Sequence, residues 1–404
     1  MRNVVFVAPF PLDTTLWFVR AAAGLADVRL LGVLQEAPRG DDAGLFVDLV
    51  TVRDGLDAGQ LIEAARVLER RHGPIHRVLG ILEALQVQLG EVRRALGVPG
   101  TSPETADLFR DKARMKDELR RRGLPCARHR LLRSWSDAEA FVAEVGLPLV
   151  LKPPAGMGCK ATWRVRTTGE LRGALAAIHA SPDSPALAEE LLVGNEFSFE
   201  TITVGGQVRF HSLSRYYPTP LEVMETPWIQ WVCVLPRDIA GPEWADATEL
   251  GVRAVTGLGL DTGFTHMEWF RRDDGSLAIG EIAARPPGAN IVRMTGIAHD
   301  ADLYRAWARA VVDDAFDGPW TRKYAVGCAY LRGVGRGRVL RVTGVERAQA
   351  LVGRLVVEAR LPQPGAPRSD SYEGDGHVIV RDPDTEVVTA AMRTIIETIQ
   401  VQYG

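Results

Sequence analysis

Between Gly263 and Glu281 the chain carries two apolar runs, Gly263 to Arg271 and Leu277 to Glu281, around Asp274-Gly275. Apolar runs flanking Asp-Gly are among the strongest short-range signals for a β-hairpin. A two-residue type I′ turn at Asp274-Gly275 pairs Asp273 with Ser276, and counting outward sets Glu268 opposite Glu281. Opposed residues on antiparallel strands share a face, with β-carbons roughly 5 Å apart, and like charges so placed repel. The neighbours Met267, Phe270, Ile279 and Ile282 are apolar, so the two acids need compensation. A hard divalent cation such as Mg²⁺, held by one or two carboxylates and by substrate phosphates, supplies it. A proton shared between the acids is a second solution, and a pair pointing into water is a third. The two-residue period carries the same face on to Ala283 and Arg285, and an arginine beside a cation-binding carboxylate weights the reading toward phosphoryl transfer. A one-residue slip in pairing would put the acids on opposite faces and remove the argument.

The bulk numbers bound the rest. A chain of 404 residues has room for two or three domains. Its formal charge of −3 gives no basic excess of the kind that binds nucleic acid or an acidic membrane. No apolar run is long enough to span a bilayer, and Met1 to Phe10 lacks a signal-peptide pattern. Cys126, Cys159, Cys233 and Cys328 are scattered, with no metal-type spacing. A cytoplasmic, reduced chain is expected.

Three regions separate. Residues 1–105 alternate buried strands (Val4 to Val7, Val28 to Val33, Arg77 to Leu79) with helices (Leu16 to Leu25, Leu61 to Arg71), the pattern of an open parallel α/β sheet. The first turn, Ala8-Pro9-Phe10-Pro11, is no dinucleotide loop. Residues 106–317 begin with a helix capped by Asp111 and ending at Arg122. A strand from Pro148 to Lys152 then enters the glycine loop Pro153 to Lys160, and a second strand runs from Ala161 to Thr167. Strand–loop–strand differs from the strand–loop–helix of a Walker loop. Residues 318–404 mix short strands with a closing helix, Thr385 to Val401.

Five segments in this order resemble the ATP-grasp superfamily, and within it the carboxylate–amine ligases similar to L-amino acid ligases. They are Phe109 to Lys112, Val150 to Pro153 with the glycine loop, Ala188 to Glu196, Thr265 to Glu268, and Glu281 to Gly288. The resemblance implies an N-terminal open parallel α/β domain, a small lid subdomain at about 124–196, and a C-terminal mixed-sheet domain. ATP would lie between lid and sheet. Lys112 and Lys152 match the family's ATP-contacting lysines, and two cations can offset phosphate charge during transfer. Gly156 and Gly158 would let backbone N–H groups approach phosphate, with Lys160 as a further contact. Glu189, Glu190, Leu191 and Leu192 match the adenine hinge, and Glu196 the ribose acid. Glu268 and Glu281 would hold Mg²⁺, with Mn²⁺ as an alternative. Ala283 stands where many relatives carry asparagine; water, or Asn290, would fill that place. Arg285 matches the arginine that steadies an acyl phosphate, which its planar guanidinium suits.

Substrate contacts are sought in Arg215, Tyr216, Trp228 and Trp231, read as a loop-rich stretch, and in His266 and Arg293, the last read equally as a surface ion pair. Lys116 reads as an exposed surface lysine. The expected reaction joins a small carboxylate to an amine through an acyl phosphate, releasing ADP and phosphate. The alternatives are an ATP-dependent carboxylating enzyme and a nucleotide-binding protein that has lost catalysis. Related enzymes suggest a homodimer.

Overall fold

The computed structural model describes residues 1–156, 161–226 and 228–404. Near-continuous apolar runs at Arg2–Val7 and Val28–Leu34 form parallel strands, as sequences buried on both faces do, and Ile75–Leu79, interrupted by His76 and Arg77, joins them. With Asp48–Thr51 they make a four-stranded sheet whose fourth member sits at one edge next to Val28–Leu34. That edge strand is half exposed and carries no apolar run, so the sequence did not announce it. Apolar clusters cover both faces of this sheet.

A second sheet has four antiparallel strands in the order His129–Leu132, Ala186–Glu190, Leu149–Lys152, Trp163–Val165. The helices Trp135–Val145 and Thr168–Ile178 pack on it around Phe141, Leu151 and Leu171. Residues 157–160 lie outside the described residues, and with them the expectations placed on Gly158 and Lys160.

The third sheet has eight strands, all paired antiparallel. Its order is Leu277–Ala283, Gly263–Arg271, Asn195–Val204, Gln207–Tyr217, Trp231–Leu235, Ala325–Leu331, Gly376–Asp382, Val356–Arg360. Helices Lys112–Arg121 and Ala245–Leu258 cover one face, where Met267, Trp269, Ile279 and Ile282 are buried. The alternate residues point to the opposite face. Arg215 and Tyr216 therefore belong to a long strand and not to a loop.

The hairpin at the sheet edge differs in detail from the two-residue turn expected. Arg272 N–H donates to Ser276 O at 2.9 Å, and Gly275, with φ of +82°, donates to Arg272 O at 2.9 Å. The loop thus has three residues, with Gly275 in the left-handed region that glycine enters freely. This offsets the pairing by one, and Trp269 meets Ile279. A bulge at Gly280 then restores it, and Glu268 stands opposite Glu281. The two departures cancel at the position that matters.

Mixed pairing occurs in a small three-stranded sheet, where Gln400–Tyr403 pairs parallel to Gly333–Val334 and antiparallel to Val339–Thr343. The closing helix, expected to reach Val401, ends at Thr398. Gln400 to Tyr403 alternates exposed and buried residues, a strand period that tertiary pairing captures. No helix among the described residues is long and apolar enough to cross a membrane.

Candidate active site

A cavity of about 560 Å³ opens between the small sheet, the free face of the large sheet and the carboxyl end of the parallel sheet. This is within the range of small-molecule sites, and the ends of parallel strands are where open sheets place ligands. Lys152 enters it from the end of Leu149–Lys152, and Glu281 from the large-sheet edge. Lys112 enters from the first turn of its helix, whose N-terminal N–H groups are capped by Asp111. A cation there opposes the helix dipole, and its partners account for its position. Its Nζ lies 2.9 Å from Glu281 Oε1 and donates to Gly156 O at 2.8 Å.

These groups belong to a chain of alternating charge. Lys116 Nζ is 2.7 Å from Glu189 Oε1, and Lys152 Nζ is 3.0 Å from Glu189 Oε2 and 3.7 Å from Glu281 Oε2. Beyond Lys112 comes Glu83, 4.0 Å away, which also accepts from Arg110 and Arg285 at 3.1 Å each. Burial opposes ionisation of Glu281, but Lys112 and Lys152 outweigh it and hold its carboxyl at about 2. Burial likewise opposes ionisation of Glu189, and Lys116 and Lys152 carry it below the usual range.

Lys116 corrects the sequence reading. It is fully buried, donates to Gly280 O at 2.7 Å and pairs with Glu189. It stands one helical turn after Lys112, and the i, i+4 spacing was the available signal. Glu189 spends its side chain on these lysines. Glu190 is engaged outward, at 2.9 Å from Arg128 and 3.1 Å from Arg272. Leu191 and Leu192 line the cavity, as does Gly156, whose carbonyl is taken by Lys112. Glu83 was missed altogether. It sits in a single turn after the last parallel strand, with no motif around it.

At the large-sheet edge the carboxylates outnumber the cations. Glu196 is buried, and burial together with Glu268 pushes its carboxyl well above the ordinary value. His266 shares the face of Glu268, with Nε2 3.7 Å from Glu268 Oε1 and Nδ1 2.9 Å from Glu200 Oε1. Burial disfavours its charged form, but Glu200 and Glu268 raise it to about 9. Glu200 is a second residue the sequence did not mark. Among the described residues no three acids, histidines or cysteines form a ready metal cage. Two opposed carboxylates facing a cavity are nonetheless the donor set that Mg²⁺ takes when substrate phosphates complete its shell. Ala283 lines the same wall and adds no donor; Asn290 lines it too.

Further along the sheet the lining becomes aromatic. Trp231 stacks on Tyr330 at 4.6 Å and meets Tyr216 and Tyr372 edge-on at 5.2 and 4.9 Å. Of these, Trp231, Tyr216 and Tyr372 bound the cavity. Three other residues proposed from sequence lie elsewhere. Arg215 stacks over Phe197 and Tyr217, turned away by the strand alternation that directs Tyr216 inward. Arg293 is exposed on the helix Ile291–His299 and pairs with Glu358 at 3.0 Å. Trp228 is 61% exposed.

A model of the ATP-grasp domain matches residues 117–297. An L-arginine-specific L-amino acid ligase of Bacillus subtilis is 28% identical over 228 residues, which is 55% of this chain and 54% of that protein. The chain thus spans about half the length of that curated relative. The crystal structure of an L-amino acid ligase from Bacillus licheniformis superposes with a TM-score of 0.80 at 17% identity, covering 100% of this chain and 99% of that one. That of N5-carboxyaminoimidazole ribonucleotide synthetase from Thermotoga maritima gives 0.71 at 17% identity, covering 100% of both. At such identities the likeness concerns fold alone. A parallel sheet, a small antiparallel sheet and a large one, joined in this order, give the chain the ATP-grasp fold, and residues 117–297 carry the stretch that matches the ATP-grasp domain.

Proposed function

We propose that this protein is an ATP-dependent carboxylate–amine ligase that forms an amide or peptide bond between amino-acid-like substrates and releases ADP and phosphate. The observation that carries this reading is the meeting of Glu281 with Lys112 and Lys152, two lysines from different elements, on a cavity wall where Glu268 stands directly opposite.

In this reading the substrate carboxylate attacks the γ-phosphorus of ATP, forming a P–O bond as the bond to ADP breaks. Lys112 and Lys152 lie where two ammonium groups can follow charge onto the transferring phosphoryl group. Glu268 and Glu281 would hold Mg²⁺, which when bound neutralises phosphate charge. Arg285, aimed by Glu83 at 3.1 Å, offers a guanidinium to the acyl phosphate. The amine then attacks the acyl carbon, phosphate leaves, and the ammonium proton is lost to solvent or phosphate. Enclosure by the small sheet keeps water from the activated acid. The amino-acid character of the substrates is supported by the L-arginine-specific ligase of Bacillus subtilis.

The test is ADP release with ATP, Mg²⁺ and either pooled amino acids or bicarbonate. Release that depends on amino acids supports the ligase. Release that depends on bicarbonate means a carboxylating enzyme, and no release under either condition means a nucleotide binder.

A further inference from the structure

The acids lining the cavity are nearly all accounted for. Glu83, Glu189, Glu190 and Glu281 are each paired with lysine or arginine. Glu222 closes a capping box with Thr219. Glu196 and Glu268 belong to the edge assigned above to ribose and metal. Glu373 is left over. It lies in the segment leading into the strand Gly376–Asp382, the seventh across the large sheet, whereas Glu281 and Glu268 lie on the first and second. The segment comes back over the cavity: Glu373 Oε1 is 4.0 Å from the point where a β-carbon on Gly288 would stand.

Glu373 forms no ion pair with any described residue. Arg285 is the charge that acts on it, and that guanidinium is shared with Glu83, which its Nε meets at 3.1 Å. The Ala289 N–H is its other support, and burial lifts its carboxyl above the ordinary value. A carboxylate withdrawn from water with no cation beside it is unfavourable unless a ligand brings one. The adjoining wall is aromatic, with Tyr372 edge-on to Trp231 at 4.9 Å, and aromatic faces attract guanidinium and ammonium groups.

We propose that Glu373, with Tyr372 and Trp231, forms a specificity subsite for the positively charged side chain of a basic amino acid, a guanidinium or a primary ammonium. The proposal rests on the ligase reading for the rest of the substrate and adds its class. Arginine or lysine would seat its side-chain cation on Glu373 and reach toward Arg285 and the phosphate end with its carboxylate. An uncharged side chain of the same length would leave Glu373 unpaired.

The experiment is calorimetric binding of arginine, lysine, citrulline and norleucine to the full chain with Mg²⁺ and a non-hydrolysable ATP analogue, for the unaltered protein and for Glu373→Gln. Citrulline keeps arginine's shape without its charge. The unaltered protein should bind arginine or lysine about 10- to 100-fold more tightly than its uncharged counterpart, as charge-assisted hydrogen bonds imply, and Glu373→Gln should erase the difference. Equal affinity for charged and uncharged partners in the unaltered protein overturns the subsite, as does discrimination that survives in Glu373→Gln. An equal loss for all four ligands also overturns it, because Glu373 would then hold the α-ammonium group. Glu373→Asp, which keeps the charge, should retain part of the discrimination and guards against a folding defect in Glu373→Gln. A lack of ADP release with every amino acid would reject the ligase reading alone, since the affinity ratio still decides the subsite.

Discussion

The two ends of the cavity handle charge in opposite ways. At the end near the small sheet, Lys116, Glu189, Lys152, Glu281 and Lys112 alternate in sign within 2.7 to 3.7 Å of one another. Each buried charge there has its partner in the protein. At the far end Glu373, beside an aromatic wall, forms no ion pair with any described residue and has only the Ala289 N–H and the charge of Arg285, itself paired with Glu83. A site that compensates itself is preorganised before any ligand arrives, and a site that does not leaves the compensation to the ligand. In the proposed reaction the first arrangement suits a group every turnover shares, the triphosphate. The second suits the group that distinguishes one substrate from another.

The largest effect expected from breaking this contrast lies at the compensated end. Glu281→Gln should lower the rate of ADP formation about 1000-fold, in the range seen when a preorganised electrostatic group is removed, while far-ultraviolet circular dichroism reports a folded chain. Next is Lys116→Met. It leaves Glu189 short of one partner and the Gly280 carbonyl unpaired, and should destabilise the protein by about 3 kcal/mol in urea unfolding, as breaking a buried pair does.

The pH dependence of stability should differ in sign between the ends. The folded-state carboxyl of Glu189 is lowered from 4.5, so its contribution is full above the unfolded value and fades as pH falls through the folded one. Glu189→Gln should therefore be less stable than the unaltered protein at pH 7, with a gap that narrows in acid. Glu373 is raised from 4.5. It ionises more readily unfolded, and stability is lost as pH rises from the unfolded value through the folded one. Ligand-free Glu373→Gln should melt above the unaltered protein at pH 7 and level with it at pH 4. Two variants shifting the same way would erase the contrast. The smallest effect belongs to Arg293→Ala, which removes an exposed pair with Glu358. It should change stability by less than about 1 kcal/mol and leave the kinetics of ADP release unaltered.

At the compensated end Lys112 and Lys152 were placed by the family resemblance and Glu281 by the strand period, whereas Lys116 was read as an exposed lysine and Glu189 as part of the adenine hinge. Glu268 and Glu281 follow from strand pairing, although a three-residue loop and the Gly280 bulge had to cancel for the count to hold. Lys116 shows the limit of this reasoning: helical spacing placed it beside Lys112, but nothing local said that Glu189 would cross over to meet it. Glu83 and Glu373 were beyond reach for a related reason. Both lie in short irregular segments, far in sequence from Arg285 and Trp231, and only the packing of the parallel sheet and of the C-terminal region onto the large sheet brings them in. Arg215 failed in the other direction, and Arg293 took the second of its two readings, the surface ion pair. A strand's alternation and a helix's outer face aimed them away from the cavity that their residue type suggested.

In the proposed reaction a carboxylate oxygen of one substrate is transferred to the phosphorus of ATP. Isotope transfer tests it most directly: an amino acid labelled with ¹⁸O in its carboxylate is supplied with unlabelled ATP, Mg²⁺ and an amine acceptor, and the released phosphate is weighed by mass spectrometry. The acyl-phosphate route puts one heavy oxygen into each phosphate for each amide bond formed. Phosphate that emerges unlabelled while the amide accumulates would contradict it.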